Sequence, residues 1–410
     1  MWKHSTHVLV LVAGLLTLTD GSVWSGKEDR QGLGTKSGYI SVPDGRLYYD
    51  EAGQGPCIVF LHDGMLHSEA YDPQFAALAG ECRVVRYDRR GYGRSDHPQQ
   101  PYSNIADLKA VFDSLGIDSA QLVGCSAGSR LAVDFALKYP KLVTGLVLIG
   151  PVVSGMEYTN HMITRGGRLT MEIRTDSVRY RDYWIEDDPF EFYPANTEAK
   201  ARARELLTAC PQNLNSANDQ FQQGAERPAV RYLSEIKVPT LVIVGEGDIA
   251  DVHAHAGAIE AGISGAHREV VSNAGHLVAL EKPQEVIDLI RSLFQESAFF
   301  GTMSREGVPA AVKIYRALLM ERPDVKPFAE ARLNQLGYQS LQGGKTTDAL
   351  DIFRLAVDIY PNSFNVYDSY GEALLASGDT TQAITNYKRS LELNPNNTNA
   401  AQVLSRISTE

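Results

Sequence analysis

Residues 121–140 read QLVGCSAGSRLAVDFALKYP, and the first eight of them decide the fold. A short strand-like run enters Gly124, Cys125, Ser126, Ala127 and Gly128, and helix-forming sequence follows at once. This is Gly-x-Ser-x-Gly at a strand–turn–helix junction, the context that gives the pattern its meaning. So sharp a turn needs small residues two before and two after the serine. It lifts the hydroxyl clear of a sheet, at a helix N-terminus.

Outward from this turn, continuous apolar runs at 58–61, 84–87, 146–149 and 241–244 have the character of strands buried on both faces of a parallel sheet. A further strand is expected at 268–271, and alternation over 39–52, broken by Pro43, Asp44 and Gly45, predicts a hairpin. Helices are predicted at 105–115, capped by Ser103, and at 127–139 and 283–298. Strand and helix in alternation mean a doubly wound, mostly parallel α/β sheet over about 37–299. The alternation stops over 152–236, where RYRDYWIEDDPFEFY is prominent, and an inserted helical lid is expected there. Trp184, Phe190, Phe192 and Tyr193 offer it apolar walls, while Glu186, Asp187, Asp188 and Glu191 are expected on a solvated face.

Serine is a weak nucleophile at neutral pH and needs a base that is itself oriented by an acid. Asp248 lies just past the run at 241–244, where open α/β sheets build their sites, and His276 follows the run at 268–271. The order Ser126, Asp248, His276 fits this fold, and Asp251 is the rival acid. The pair His253 and His255 has no evident third ligand, so it reads as a helix start rather than a metal site. No metal or cofactor is called for. With His276 as the base, activity is expected to rise through a pH of about 6.5.

The stretch 39–298 resembles the α/β-hydrolase superfamily, and three more motifs carry the likeness. His62, Asp63 and Gly64 stand where that superfamily has its oxyanion loop. DRRGYGRSD at 88–96 matches its Asp-x-Arg-Gly-x-Gly-x-Ser turn, and Gly275-His276 with Glu281 and Pro283 matches its Gly-His-x4-Glu-x-Pro ending. The resemblance implies a serine hydrolase with Gly64 and Ala127 as backbone oxyanion donors, each worth about 3 to 4 kcal/mol in the transition state. Asp63 departs from the usual glycine, which leaves the donor geometry at Gly64 open. His62 is expected to tie the loop. A nucleophilic serine rather than aspartate argues against epoxide and haloalkane chemistry, and the motifs look most like small-molecule esterases and enol-lactonases. Carbon–carbon bond hydrolysis is the alternative chemistry. A degenerate hydrolase acting as a scaffold is the alternative of another class.

Beyond about 305, strand runs cease and a period appears. Leu333, Leu336, Gly337, Gly344, Ala349, Phe353, Ala356 and Pro361 are each answered 34 positions later, at Tyr367, Tyr370, Gly371, Gly378, Ala383, Tyr387, Ser390 and Pro395. Period and residue types resemble the tetratricopeptide repeat, which would make 305–410 an all-α module with a protein partner. Ala311, Tyr315, Leu318 and Pro323 imitate half a repeat before it. Every candidate catalytic residue precedes 298, so the module is expected to be dispensable for chemistry, and with a break near Gly307 and Pro309 a stop near Thr302 is expected to leave a soluble enzyme.

At the other end, Lys3 precedes an apolar run at 8–18 that is too short to span a bilayer, and an export signal over 1–25 is expected. The remaining sequence has no run long and apolar enough to cross a membrane. A net charge of −11, from 39 basic and 50 acidic residues, disfavours nucleic acid and anionic lipid as partners. Four cysteines are too few for a disulfide framework, and Cys57 and Cys82, at the starts of expected neighbouring strands, read as buried thiols with a bridge as the alternative.

Overall fold

Strand β5 (Ala120–Cys125) lies at the centre of the sheet, buried throughout, in the computed structural model, which describes residues 34–214, 220–321, 328 and 330–407. The export signal expected at 1–25 lies outside the described residues. Around β5 stand β1 (Lys36–Val42), β2 (Gly45–Ala52), β3 (Cys57–Leu61), β4 (Arg83–Tyr87), β6 (Val143–Ile149), β7 (Thr240–Gly245) and β8 (His267–Val271). Their order is β1-β2-β4-β3-β5-β6-β7-β8. The pairs β1–β2 and β2–β4 are antiparallel and every other pair is parallel, so the hairpin forms one edge of a sheet otherwise built by crossovers. Each strand expected from an apolar run is present, and β3, β5 and β7 are buried along their whole length.

Helices α1 (Asp72–Leu78), α2 (Asn104–Leu115), α3 (Ala127–Lys138) and α4 (Ala250–Gly262) return the chain between strands. Ser103 caps α2 by accepting from the Ala106 N–H. Phe112 of α2 and Phe135 of α3, 5.1 Å apart, close over Val59, Val85, Leu122, Leu146 and Val242 in one apolar cluster. Burying a side chain of this size contributes about 1.5 to 3 kcal/mol, so this cluster supports the rigid frame from which the loops project. All four cysteines are free, with Cys57 and Cys82 buried.

Between β6 and β7 no strand occurs among the described residues. Short helical segments at Asn160–Ile163, Met171–Thr175 and Ser177–Asp182, a π turn at Tyr183–Asp187 and the longer helix α5 (Thr197–Ala209) form the lid. The acidic run departs from expectation. Glu186 and Asp187 are exposed, but Asp188 and Glu191 turn inward and are 4 % exposed each. The physical reason is Arg165, itself buried, which takes both carboxylates.

The chain divides into two compact units after Ile290. Helix α6 (Pro283–Glu306) runs on past 298 without interruption, and the expected break comes at Gly307, whose φ of +90° suits glycine. The second unit is all-helical: α7 (Val308–Glu321), α8 (Glu330–Gln342), α9 (Thr346–Ile359), α10 (Phe364–Ser377), α11 (Thr380–Leu393) and α12 (Thr398–Ile407). One contact recurs in it at the period read from the sequence. A Cβ on Gly337 would stand 2.5 Å from the Phe353 ring, and one on Gly371 would stand 3.1 Å from the Tyr387 ring. Small residues at those two places let consecutive helices approach closely.

Candidate active site

Ser126 sits between β5 and α3 with φ +51° and ψ −112°, a conformation that costs a non-glycine residue about 1 to 3 kcal/mol. Its surroundings explain the small neighbours. A Cβ on Gly124 would meet the Gly128 backbone at 2.5 Å, and one on Gly128 would meet the Leu61 carbonyl at 2.1 Å. The Ser126 N–H donates to the Ile149 carbonyl (2.9 Å), fastening the turn to the end of β6.

The residue after Ile149 links this turn to the histidine. Gly150 has φ +49°, and a Cβ on it would lie 2.9 Å from His276 Nδ1. His276 Nδ1 is 2.8 Å from Asp248 Oδ2, and the other carboxylate oxygen of Asp248 accepts from the Ile249 N–H at 2.7 Å. The rival Asp251 is engaged elsewhere, accepting from the N–H and the hydroxyl of Thr159, both at 2.8 Å. His276 therefore meets the acid expected from the loop after β7. Burial of the ring pulls its pKa down. The charge and hydrogen bond of Asp248, joined by the charge of Glu191, outweigh that and hold it above the ordinary value of 6.5. The midpoint expected near 6.5 accordingly moves upward.

Both remaining motifs act by orienting loops. Glu281 accepts from the N–H groups of Gly275 (2.6 Å) and Tyr193 (2.7 Å) and from the Asn196 amide (2.5 Å), so it joins the histidine loop to the lid. The turn at 88–96 holds the loop after β3. The Arg89 N–H donates to His62 Nε2 (2.9 Å), its guanidinium to the Asp63 carbonyl (2.5 Å) and the Tyr92 hydroxyl to the Gly64 carbonyl (3.1 Å). Because Nε2 accepts, Nδ1 of His62 carries the proton and donates to the Asp63 carbonyl at 2.8 Å. Full burial holds its pKa well below 6.5, so His62 is a neutral tie, as expected.

Asp63 earns its place through its side chain. Its Oδ1 accepts from the N–H groups of Met65 (2.6 Å) and Leu66 (2.8 Å), which fixes the turn that a glycine would leave looser. Gly64 is brought beside Ala127, 3.8 Å from a Cβ on the glycine to that of the alanine. The Ala127 N–H lies in the first turn of α3, where the helix supplies no partner. A polar cavity of about 420 Å³ counts Ala127 among its lining, with Asn104, Arg130, Asp134, Ser154 and Tyr158, while Ser126 and His276 do not line it. Burial raises the Asp134 carboxyl to about 6 despite its bond from the Ser154 hydroxyl. His255 accepts from the Val153 N–H, and no group of three or more His, Cys, Asp or Glu side chains suited to a metal occurs among the described residues.

Fold and motifs together define a hydrolase of the α/β class, and the chain belongs to the α/β hydrolase family, whose model matches residues 58–289. It is 28 % identical over 265 residues to carboxylesterase YbfK of Bacillus subtilis, covering 60 % of this chain and 84 % of that one. To 2-hydroxy-6-oxo-6-phenylhexa-2,4-dienoate hydrolase of Comamonas testosteroni it is 28 % identical over 270 residues, 61 % of this chain and 93 % of that one. The solved structure of Est816, described as an N-acyl homoserine lactone degrading enzyme, superposes with a TM-score of 0.51 at 26 % identity, covering 62 % of this chain and 99 % of that one.

Sequence reasoning missed Arg165, Asp188 and Glu191 as neighbours of the histidine. Their positions in an irregular lid gave no periodicity from which to phase them. Gly150 was missed as well, although a glycine directly after a buried strand beside the serine turn was a usable signal.

Proposed function

We propose that the protein hydrolyses a small-molecule carboxylic ester or lactone through Ser126, His276 and Asp248. The observation that carries this reading is the 2.8 Å contact of His276 with Asp248, against Gly150, whose neighbour Ile149 holds the strained turn of Ser126. Asp248 fixes the tautomer of His276 with the proton on Nδ1, which frees Nε2 to take the Ser126 proton as Oγ bonds to the acyl carbon. Gly64 and Ala127 donate to the oxyanion. The imidazolium returns its proton to the departing alcohol oxygen, and an acyl-enzyme remains. Water then repeats the sequence, releasing the acid and restoring Ser126.

Carboxylesterase and lactone-degrading relatives support ester or lactone as the bond cleaved, while the carbon–carbon bond hydrolase relative keeps that chemistry as the alternative. The recurrence of the Gly337–Phe353 contact at Gly371–Tyr387 supports reading 305–410 as tetratricopeptide-like repeats that bind a protein partner. Export by the segment 1–25 completes the proposal, and cell fractionation of the full chain checks it by where the protein is found.

The test of the chemistry is direct. Ser126→Ala and His276→Ala each remove nearly all turnover of p-nitrophenyl acetate, and a fluorophosphonate labels Ser126, because nucleophile and base act as a unit. Labelling at Cys125, or full activity in Ser126→Ala, overturns the assignment. An active Asp248→Asn beside an inactive Asp251→Asn moves the acid.

A further inference from the structure

The lid carries a buried charge group that the hydrolytic scheme does not use. Arg165 stands in the left-handed region at φ +47°, an uncommon conformation for a residue with a side chain. Its guanidinium grips Asp188 with two bonds of 2.9 Å and reaches Glu191 at 3.1 Å, and it lies over the rings of Trp184 (5.1 Å) and Phe190 (5.4 Å). All three charged side chains are buried.

From this group the connection to the histidine is continuous. Asp188 Oδ1 accepts from the N–H groups of Phe190 (2.9 Å) and Glu191 (2.8 Å). The carbonyls of those two residues accept from the N–H groups of His276 (2.8 Å) and Leu277 (3.2 Å). At Gly275 a Cβ would come within 2.7 Å of the Phe190 carbonyl, so lid and histidine loop are fitted backbone to backbone. We propose that Arg165, Asp188 and Glu191 form a lid-borne positioning group for His276, in which Asp188 seats its backbone and Glu191, joined to Leu277 through its carbonyl, brings a second carboxylate to that loop.

The main charges acting on the two titrating groups come from three elements. His276 faces Asp248 from the loop after β7 and Glu191 and Arg165 from the lid. Glu191 faces His276, Arg165 and Asp188, and Asp63 from the loop after β3. Burial raises the Glu191 carboxyl to about 7, while His276 and Arg165 pull it down. Its charge therefore appears in the pH range where a histidine base works. An imidazolium forms as Ser126 Oγ attacks the acyl carbon and gives up its proton, and a second carboxylate on the lid favours that state.

This inference rests on His276 being the base, and the experiments separate the two. Glu191→Gln in the full chain keeps the shape and removes the charge. The pH midpoint of kcat/KM for p-nitrophenyl acetate is expected to fall by about one unit, with KM nearly unchanged. Glu191→Asp keeps the charge and is expected to keep the midpoint. In Asp188→Asn, hydrogen exchange at the amides of His276 and Leu277 is expected to quicken by about tenfold, as well as in the lid itself. This second variant decides the matter should Glu191→Gln not fold. An unmoved midpoint in folded Glu191→Gln, or faster exchange confined to 160–195 in Asp188→Asn, overturns the proposal. Full activity in His276→Ala sinks instead the reading on which it rests.

Discussion

Gly150→Ala tests whether the histidine is placed as tightly as the geometry implies. The added methyl would sit 2.9 Å from His276 Nδ1 and 3.0 Å from Cε1. Carbon contacts reach their optimum at about 3.5 to 4.0 Å, so the ring must retreat by roughly 0.5 Å or more. The 2.8 Å contact with Asp248 cannot survive that movement unchanged. A misplacement of about 1 Å costs on the order of 100-fold in rate, and we expect kcat/KM for p-nitrophenyl acetate to fall by about 30- to 100-fold, or roughly 2 to 3 kcal/mol of barrier. The φ of +49° adds a backbone cost of about 1 to 2 kcal/mol to stability. Gly116→Ala is the control, because Gly116 has φ +59° with nothing within 4 Å of a Cβ. It carries the same kind of backbone cost with no clash, and its kcat/KM should stay within about twofold of wild type. Equal losses in the two variants, or a Gly150→Ala enzyme within threefold of wild type while folded by circular dichroism, would refute the reasoning.

Glu191→Gln should be more stable than wild type at high pH. The folded-state pKa is raised from 4.5 to about 7, so Glu191 contributes stability that is full below 4.5 and lost as pH rises through 7. Glutamine mimics the neutral form, and 2.5 units at 1.36 kcal/mol each give a gain of about 3 kcal/mol at pH 8.5 and under about 1 at pH 5. Urea unfolding at both values checks this, and a variant no more stable at pH 8.5 contradicts it. For the helical unit, the truncation point read from sequence needs moving. A stop near Thr302 would strand Phe299, which packs with Tyr315 and Phe328 in the second unit's apolar cluster. A chain ending at Ser297 should instead turn over p-nitrophenyl acetate within about threefold of the full chain, under about 1 kcal/mol in barrier. A 100-fold loss in a truncated protein that is still folded shows that the helices shape the site.

The sheet was legible because buried parallel strands are unbroken apolar runs, and 58–61 or 241–244 could hardly be anything else in this alternating context. The elbow was legible because packing against Leu61 and Gly128 leaves room only for glycine. Asp248 and Asp251 stood level in the sequence, three positions apart after the same strand. What separates them is long-range. Asp251 starts a helix that faces Thr159 of the lid, whereas Asp248 lies under the loop of Gly275 and His276. The inward turn of Asp188 and Glu191 was beyond sequence reasoning for a related reason: a π turn and Pro189 interrupt any period, and the partner, Arg165, is 23 residues from Asp188. The raised pKa of His276 owes most to Asp248, which was legible, and a smaller part to the unseen Glu191 carboxylate.

These unfavourable features bear on whether the protein is an enzyme or a scaffold with a hydrolase ancestry. Ser126 and Arg165 both hold positive φ without being glycine, and Glu191 keeps a carboxyl where burial opposes its charge. Each costs on the order of 1 to 3 kcal/mol. All three converge on the neighbourhood of His276, and none is required by the sheet, whose core is apolar and regular. In a protein kept only for its surface, Ser126→Gly and Glu191→Gln would each relieve such a cost, and drift would remove the originals. Their joint presence is what a site under selection for chemistry retains. It favours a working hydrolase over a degenerate one on grounds of conformation and charge rather than of the triad's residue types alone.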